Sequence, residues 1–231
     1  MTETKNRHYG LIAICIALAV IILDQILKIW IKTNFYIGES IDILPFFELR
    51  FVQNNGMAFG MEFGSKLFLT LFRIIVVALL CWYICKLVRK PKLCLGYLIT
   101  LVLIAAGAFG NIIDCVFYGE IFTNPAPMGV AHFVPWGDGY APLFHGLVVD
   151  MLYFPLFEFT WPEWMPLLGG AHWSFFDPVF NLADSAITVG ILMLIIFYTK
   201  YLPFGQQDQQ DQPDSGEKPG ASGAADRKDN D

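Results

Sequence analysis

A chain of 231 residues that is 55% hydrophobic and only 16% charged, with a mean hydropathy of +0.51, is too apolar for an ordinary soluble domain and belongs in a bilayer. Four spanning helices of about 20 residues each would already occupy a third of it, which excludes a large soluble catalytic domain. The net charge of −6 argues against a nucleic-acid partner, and most of it lies beyond Leu202, where seven acids face three bases.

Four apolar stretches, at residues 11–31, 67–88, 93–113 and 179–202, are each long enough to cross a membrane as a helix. In the first, the small residues Ala17 and Ala19 lie inside the apolar run and not after it, so the segment reads as an uncleaved anchor. Lys5 and Arg7 precede the first stretch, Lys86, Arg89, Lys90 and Lys92 separate the second from the third, and Lys200 ends the fourth. Residues 33–65 contain only Arg50, and residues 114–178 contain no Lys or Arg. The positive-inside rule then puts both termini in the cytoplasm and both long loops outside. Residues 1–204 are expected to form one membrane domain, with outer loops at about 33–65 and 114–178. Residues 205–231, rich in Gln, Asp, Gly, Pro and Ser, are expected to form a disordered cytoplasmic tail.

In the first outer loop Phe47, Leu49 and Phe51 alternate with Glu48, Arg50 and Val52 before Asn55 and Gly56, which reads as a small hairpin or curved sheet. Asn54, Asn55 and Gly56 are read from composition as turn chemistry. The second outer loop holds Trp136, Trp161, Trp164 and Trp173, four of the six tryptophans, and suits either the lipid headgroups or a compact extramembrane subdomain. His132, His145 and His172 are 13 and 27 residues apart, a spacing that does not gather a metal site. The five cysteines, an odd number with no C-x-x-C, imply no disulfide framework.

Ionisable groups at membrane depth call for a functional reading. Asp24, Asp114, Asp150 and Asp184 come from four separated segments and all lie toward the outer side. Asn111 and Asp114, like Asn181 and Asp184, are three apart, so each amide shares a helix face with a carboxylate. Asp24 and Lys28, four apart, form a structural charge pair. Asp184 is placed about two turns into the last helix, counted from Asp177 and Pro178 as cap and first helical residue. Arg73, inside the second stretch, needs a partner across the bundle. Two carboxylates sharing one proton can hydrolyse a peptide bond, one activating water and the other polarising the carbonyl. The same acids could instead line the cavity of a small proton- or ion-coupled transporter, and the residues alone leave both open. Spacing by itself favours Asp114 over Asp150 as the partner of Asp184.

At five places, in order, the chain resembles the lipoprotein signal peptidase (signal peptidase II) family: Asp24-x-x-x-Lys28; Asn54-x-Gly56-x-Ala58-Phe59; Gly107-x-x-Gly110-Asn111-x-x-Asp114; Val148-Val149-Asp150; and Phe180-Asn181-x-Ala183-Asp184-Ser185. The resemblance implies a membrane α-helical fold of four transmembrane helices with a small outer β-sheet and, here, a long aromatic outer loop. It implies an aspartyl endopeptidase of the bacterial plasma (inner) membrane that removes the signal peptide from diacylglyceryl-modified prolipoproteins, cutting before the lipidated Cys. The catalytic pair then falls on Asp150 and Asp184, supported by Asn54, Gly56, Asn111, Asp114, Asn181, Asp24 and Lys28. No metal or organic cofactor is called for, and the enzyme is expected to act as a monomer among membrane lipids. Two features depart from the family. Cys115 stands where an Arg usually follows the third-motif acid, and residues 115–145 and 152–176 are much longer than the usual connections.

Overall fold

The computed structural model describes residues 2–55, 65–91, 93–125, 129–155, 158–166, 169–174 and 178–201. Gly56, Ala58, Phe59 and the tail expected to be disordered lie outside the described residues.

Helix α1 spans Thr2–Asn34, α2 Lys66–Val88, α3 Leu95–Ile113 and α5 Leu182–Phe197. Three helical segments, His8–Asn34, Lys66–Val88 and Leu95–Ile121, are long and apolar enough to cross a membrane, and Leu182–Phe197 is a shorter apolar helix. On α2, Phe68, Phe72, Ile75, Leu79 and Trp82 recur at helical spacing and are all exposed, a stripe suited to lipid. Helix α3 is the central element, buried against α1, α2 and α5. Its glycines permit that approach: a Cβ on Gly107 would collide with the carbonyl oxygen of Ala183, and one on Gly110 would sit 2.8 Å from Asp24 Oδ2.

The fourth apolar stretch becomes helical later than its sequence suggests. Phe180 is extended and bridged to Leu152, with Met151 and Leu152 N–H both donating to the Phe180 carbonyl at 3.0 and 2.7 Å. Asn181 then caps α5, its side chain accepting from the Asp184 N–H at 2.8 Å. Asp184 therefore sits in the first helical turn, not two turns in. An Asn cap outcompetes the Pro-initiated start because it satisfies an otherwise orphaned N–H.

At one end of the bundle lies an antiparallel sheet of β1 (Ser40–Leu44), β2 (Phe47–Asn54) and β3 (Val148–Tyr153), in that order. The alternating segment of the first loop is β2, and its hairpin partner is the strand before it. A separate hairpin, β4 (Glu158–Thr160) with β5 (His172–Ser174), lies later in the second loop. Between α3 and β3 the chain widens into a π-helical turn, Asp114–Tyr118, then the single turn α4, Gly119–Ile121. The carbonyls of Cys115, Val116 and Gly119 accept from Gly146, Phe144 and Ala141 N–H at 2.8, 3.2 and 3.1 Å. The returning loop thus runs back along the turn and delivers β3 beside α3.

Of three apolar clusters among the described residues, one joins Val77, Ile112 and Val116 and the other two sit at opposite ends. Ile31, Phe35, Phe51, Tyr118, Phe122, Val149 and Met151 join α1, the sheet and the long loop, while Leu87, Tyr97, Leu98, Leu101 and Val102 pack the other end.

Candidate active site

Strand β3 pairs with β2 so that Asp150 lies opposite Val52, and Asn54, two residues along on the same face, reaches it diagonally. Asn54 Nδ2 donates to Asp150 Oδ2 at 3.1 Å and Asn181 Nδ2 donates to Oδ1 at 2.7 Å. Asp184 Oδ1 accepts from Asn111 Nδ2 at 2.7 Å. The two amides are themselves joined, Asn181 Nδ2 donating to Asn111 Oδ1 at 3.1 Å. A bridge of two carboxamides therefore connects the two acids, Asn181 donating to Asp150 and Asn111 to Asp184.

The acids differ in surroundings. Asp150 is buried at 2% exposure, whereas Asp184 is half-buried and lines a cleft of about 210 Å³ between α2, α3 and α5. The walls of that cleft are Phe72, Val76, Val77, Ala108 and Ile187, with Arg73 and Asn111 as its other polar members. Burial first, and then the nearby Asp184 charge, push the Asp150 carboxyl up to about 7 against the opposing pull of the Asn54 and Asn181 amides. Near neutrality Asp150 thus holds or releases a proton beside a second carboxylate, the condition under which two acids divide acid and base work.

Asp114 is committed elsewhere. It is fully buried, pairs with Lys28 Nζ at 2.8 Å through Oδ2, accepts from Gln25 Nε2 at 2.9 Å through Oδ1, and takes the Val149 N–H at 3.3 Å. Lys28 also pairs with Asp24 at 2.8 Å and donates to Asn111 Oδ1 at 2.8 Å. Asp24 Oδ1 accepts the Ala183 N–H at 2.9 Å, fixing the first turn of α5. The Asp24 and Lys28 pair expected from spacing is present, and it extends into a buried network that orients both Asn111 and β3.

Of the residues singled out in the sequence, Asp24, Lys28, Asn54, Asn111, Asp114, Asp150, Asn181 and Asp184 meet in one connected cluster. Gly56 lies outside the described residues. Gln25 was missed: it donates to Asp114 and accepts from Tyr118 OH at 3.0 Å. An amide beside Asp24 in an apolar helix was the available signal. Arg73 meets, across the bundle, the sulfur of Cys115, Nη1 to Sγ at 3.9 Å.

Fold and site together define a helical membrane protein with a paired-carboxylate centre beside a small sheet. The family model described as Signal peptidase (SPase) II matches residues 16–200, and the chain belongs to that family. It is a membrane peptidase and not a transporter. Among its relatives, a protein named lipoprotein signal peptidase from Porphyromonas gingivalis is 46% identical over 191 residues, 83% of this chain and 84% of the relative. One of the same name from Amoebophilus asiaticus is 37% identical over 202 residues, 85% of this chain and 79% of the relative. Two solved bacterial membrane enzyme structures share the fold. One, at 1.9 Å, is 28% identical with a TM-score of 0.53, over 80% of this chain and 90% of that one. The other, at 2.3 Å, is 26% identical with a TM-score of 0.55, over 84% and 92%.

Proposed function

We propose that Asp150 and Asp184 are the catalytic acids of an endopeptidase that removes the signal peptide from diacylglyceryl-modified prolipoproteins, cutting before the lipidated Cys. The enzyme works as a monomer in the bacterial plasma (inner) membrane, with both termini cytoplasmic and the sheet and site toward the outer face. The observation that carries this reading is the amide-bridged pair itself, one carboxyl buried and the other opening on an apolar cleft.

A substrate whose acyl chains lie in the bilayer presents its scissile bond at the depth of this cleft, so it approaches sideways from lipid. Asp184 takes a proton from water as the water oxygen adds to the scissile carbonyl carbon, and the proton on Asp150 passes to the carbonyl oxygen. Collapse of the resulting diol moves one proton to the leaving nitrogen, breaks the C–N bond and returns one to the pair, which ends with the single proton it began with. Lys28, through Asn111, and Asn54 hold the geometry and take no proton.

Purified protein incubated with a diacylglyceryl precursor and with its unlipidated counterpart tests the reading by product mass. Cleavage of the lipidated precursor alone is expected, and none by Asp150→Asn or Asp184→Asn. Full activity in either variant would remove the assignment.

A further inference from the structure

Lys32 is one turn beyond Lys28 on α1 and is fully buried, yet among the described residues no atom hydrogen-bonds its Nζ. Four aromatic rings surround that ammonium instead: Tyr140 at 5.0 Å, Phe122 at 5.3 Å, and Phe51 and Tyr118 at 6.0 Å from Nζ to ring centroid. An ammonium enclosed by π faces is held electrostatically without an acceptor. Lys32 also lies in the last turn of α1, where the helix dipole favours a cation. The other titratable groups around it are Tyr118 and Tyr140, which present their rings, and, a turn away, Lys28.

The four rings come from the elements that hold Asp150 in place. Phe51 on β2 adjoins Val52, the residue paired with Asp150. Tyr118 donates to Gln25, which grips Asp114, which in turn accepts the N–H of Val149. Tyr140 OH accepts the Leu147 N–H at 2.6 Å, immediately before β3. Phe122 belongs to the long loop, whose Ala131 N–H also donates to the Lys32 carbonyl at 3.2 Å.

We propose that Lys32 is a positioning residue of the peptidase: its caged ammonium fastens the long second loop to α1 and thereby sets the strand that presents Asp150. This rests on the endopeptidase reading above. It gives the added aromatic segment a task, since Tyr118, Phe122 and Tyr140 are three of the four rings of the cage.

The test uses the full chain and a diacylglyceryl precursor. Lys32→Met keeps the length and removes the charge, and kcat is expected to fall about tenfold or more with KM within about twofold. The alkaline limb of the rate profile should move to higher pH, because a cation that favoured ionised acids is gone. Lys32→Arg should recover kcat to within about threefold, and Lys86→Met, exposed and far from the sheet, should match the parent. A Lys32→Met enzyme with unaltered kcat and pH profile, or one changed only in melting temperature, would overturn the proposal. If Lys32→Met does not fold, Phe122→Leu decides: it removes one ring, and a kcat lowered about two- to fivefold supports the cage while an unchanged kcat rejects it. Failure of the parent chain to cut the lipidated precursor would instead overturn the peptidase reading and this inference with it.

Discussion

Asn181 donates to Asp150 Oδ1 at 2.7 Å while its own oxygen accepts the backbone N–H of Asp184, so one side chain fixes a strand acid against a helix acid. Replacing it separates two roles. Asn181→Asp keeps a capping oxygen but loses the donor and adds charge beside Asp150; Asn181→Ala loses both. A hydrogen bond to a charged group is worth about 1.5–3 kcal/mol, so kcat is expected to fall about ten- to a hundredfold in each. Only Asn181→Ala should also lose about 1 kcal/mol of stability from the missing cap. Cleavage rates and thermal melts of the two proteins check this, and equal melting with unequal rates would reverse the division.

The rate should fall as pH rises through about 7, where Asp150 gives up the proton that burial and the Asp184 charge favour. The Asn54 amide favours the ionised form, so Asn54→Ala should move that limb to higher pH. Stability follows the same sign. The folded state holds this proton more tightly than an ordinary carboxyl does, so the group's contribution is complete below the usual carboxylate range and is lost as pH rises through about 7. Rate profiles and melting temperatures across pH 5–9 test both halves. An alkaline limb that Asn54→Ala moves downward would contradict the assignment of Asp150.

The helices and the pairing of Asp24 with Lys28 were legible because they follow from apolar run length and a spacing of four. Spacing alone favoured Asp114 and the family resemblance pointed to Asp150; the contacts that occupy Asp114 were not legible, since they join segments distant in the chain. Asp114 has the more suggestive local spacing, yet Lys28, Gln25 and the Val149 N–H occupy it. The late start of α5 was hidden for the same reason: Phe180 is held extended by β3, a tertiary pairing that no helical period reports. Lys32 was invisible because its partners are rings, which carry no charge pattern.

Lys28→Met should be among the most damaging single changes outside the two acids. It leaves Asp24 and Asp114 buried without their shared cation, and breaking a buried pair in this way costs about 3–5 kcal/mol. A large drop in melting temperature and low yield in detergent are expected. Restoring neutrality with Asp24→Asn in the Lys28→Met background should recover part of the stability, though not the rate, because Asn111 is still left without the Lys28 donor. A double variant no more stable than the single one would argue against charge as the cause.

Cys115 is 1% exposed and its sulfur lies 3.9 Å from the Arg73 guanidinium. Installing the family's usual residue there, Cys115→Arg, would force a second guanidinium into a filled space beside the first. Overpacking alone costs about 1–3 kcal/mol, and like charges add to it. Cys115→Arg is therefore expected to lower both melting temperature and cleavage rate. Cys115→Arg with Arg73→Leu should regain much of both, because the new cation can then use the space Arg73 vacates along the cleft that Asp184 lines. Measuring the two single variants and the double in one cycle gives the coupling directly. A double variant as impaired as the sum of its parts would mean that the two positions do not trade the same charge.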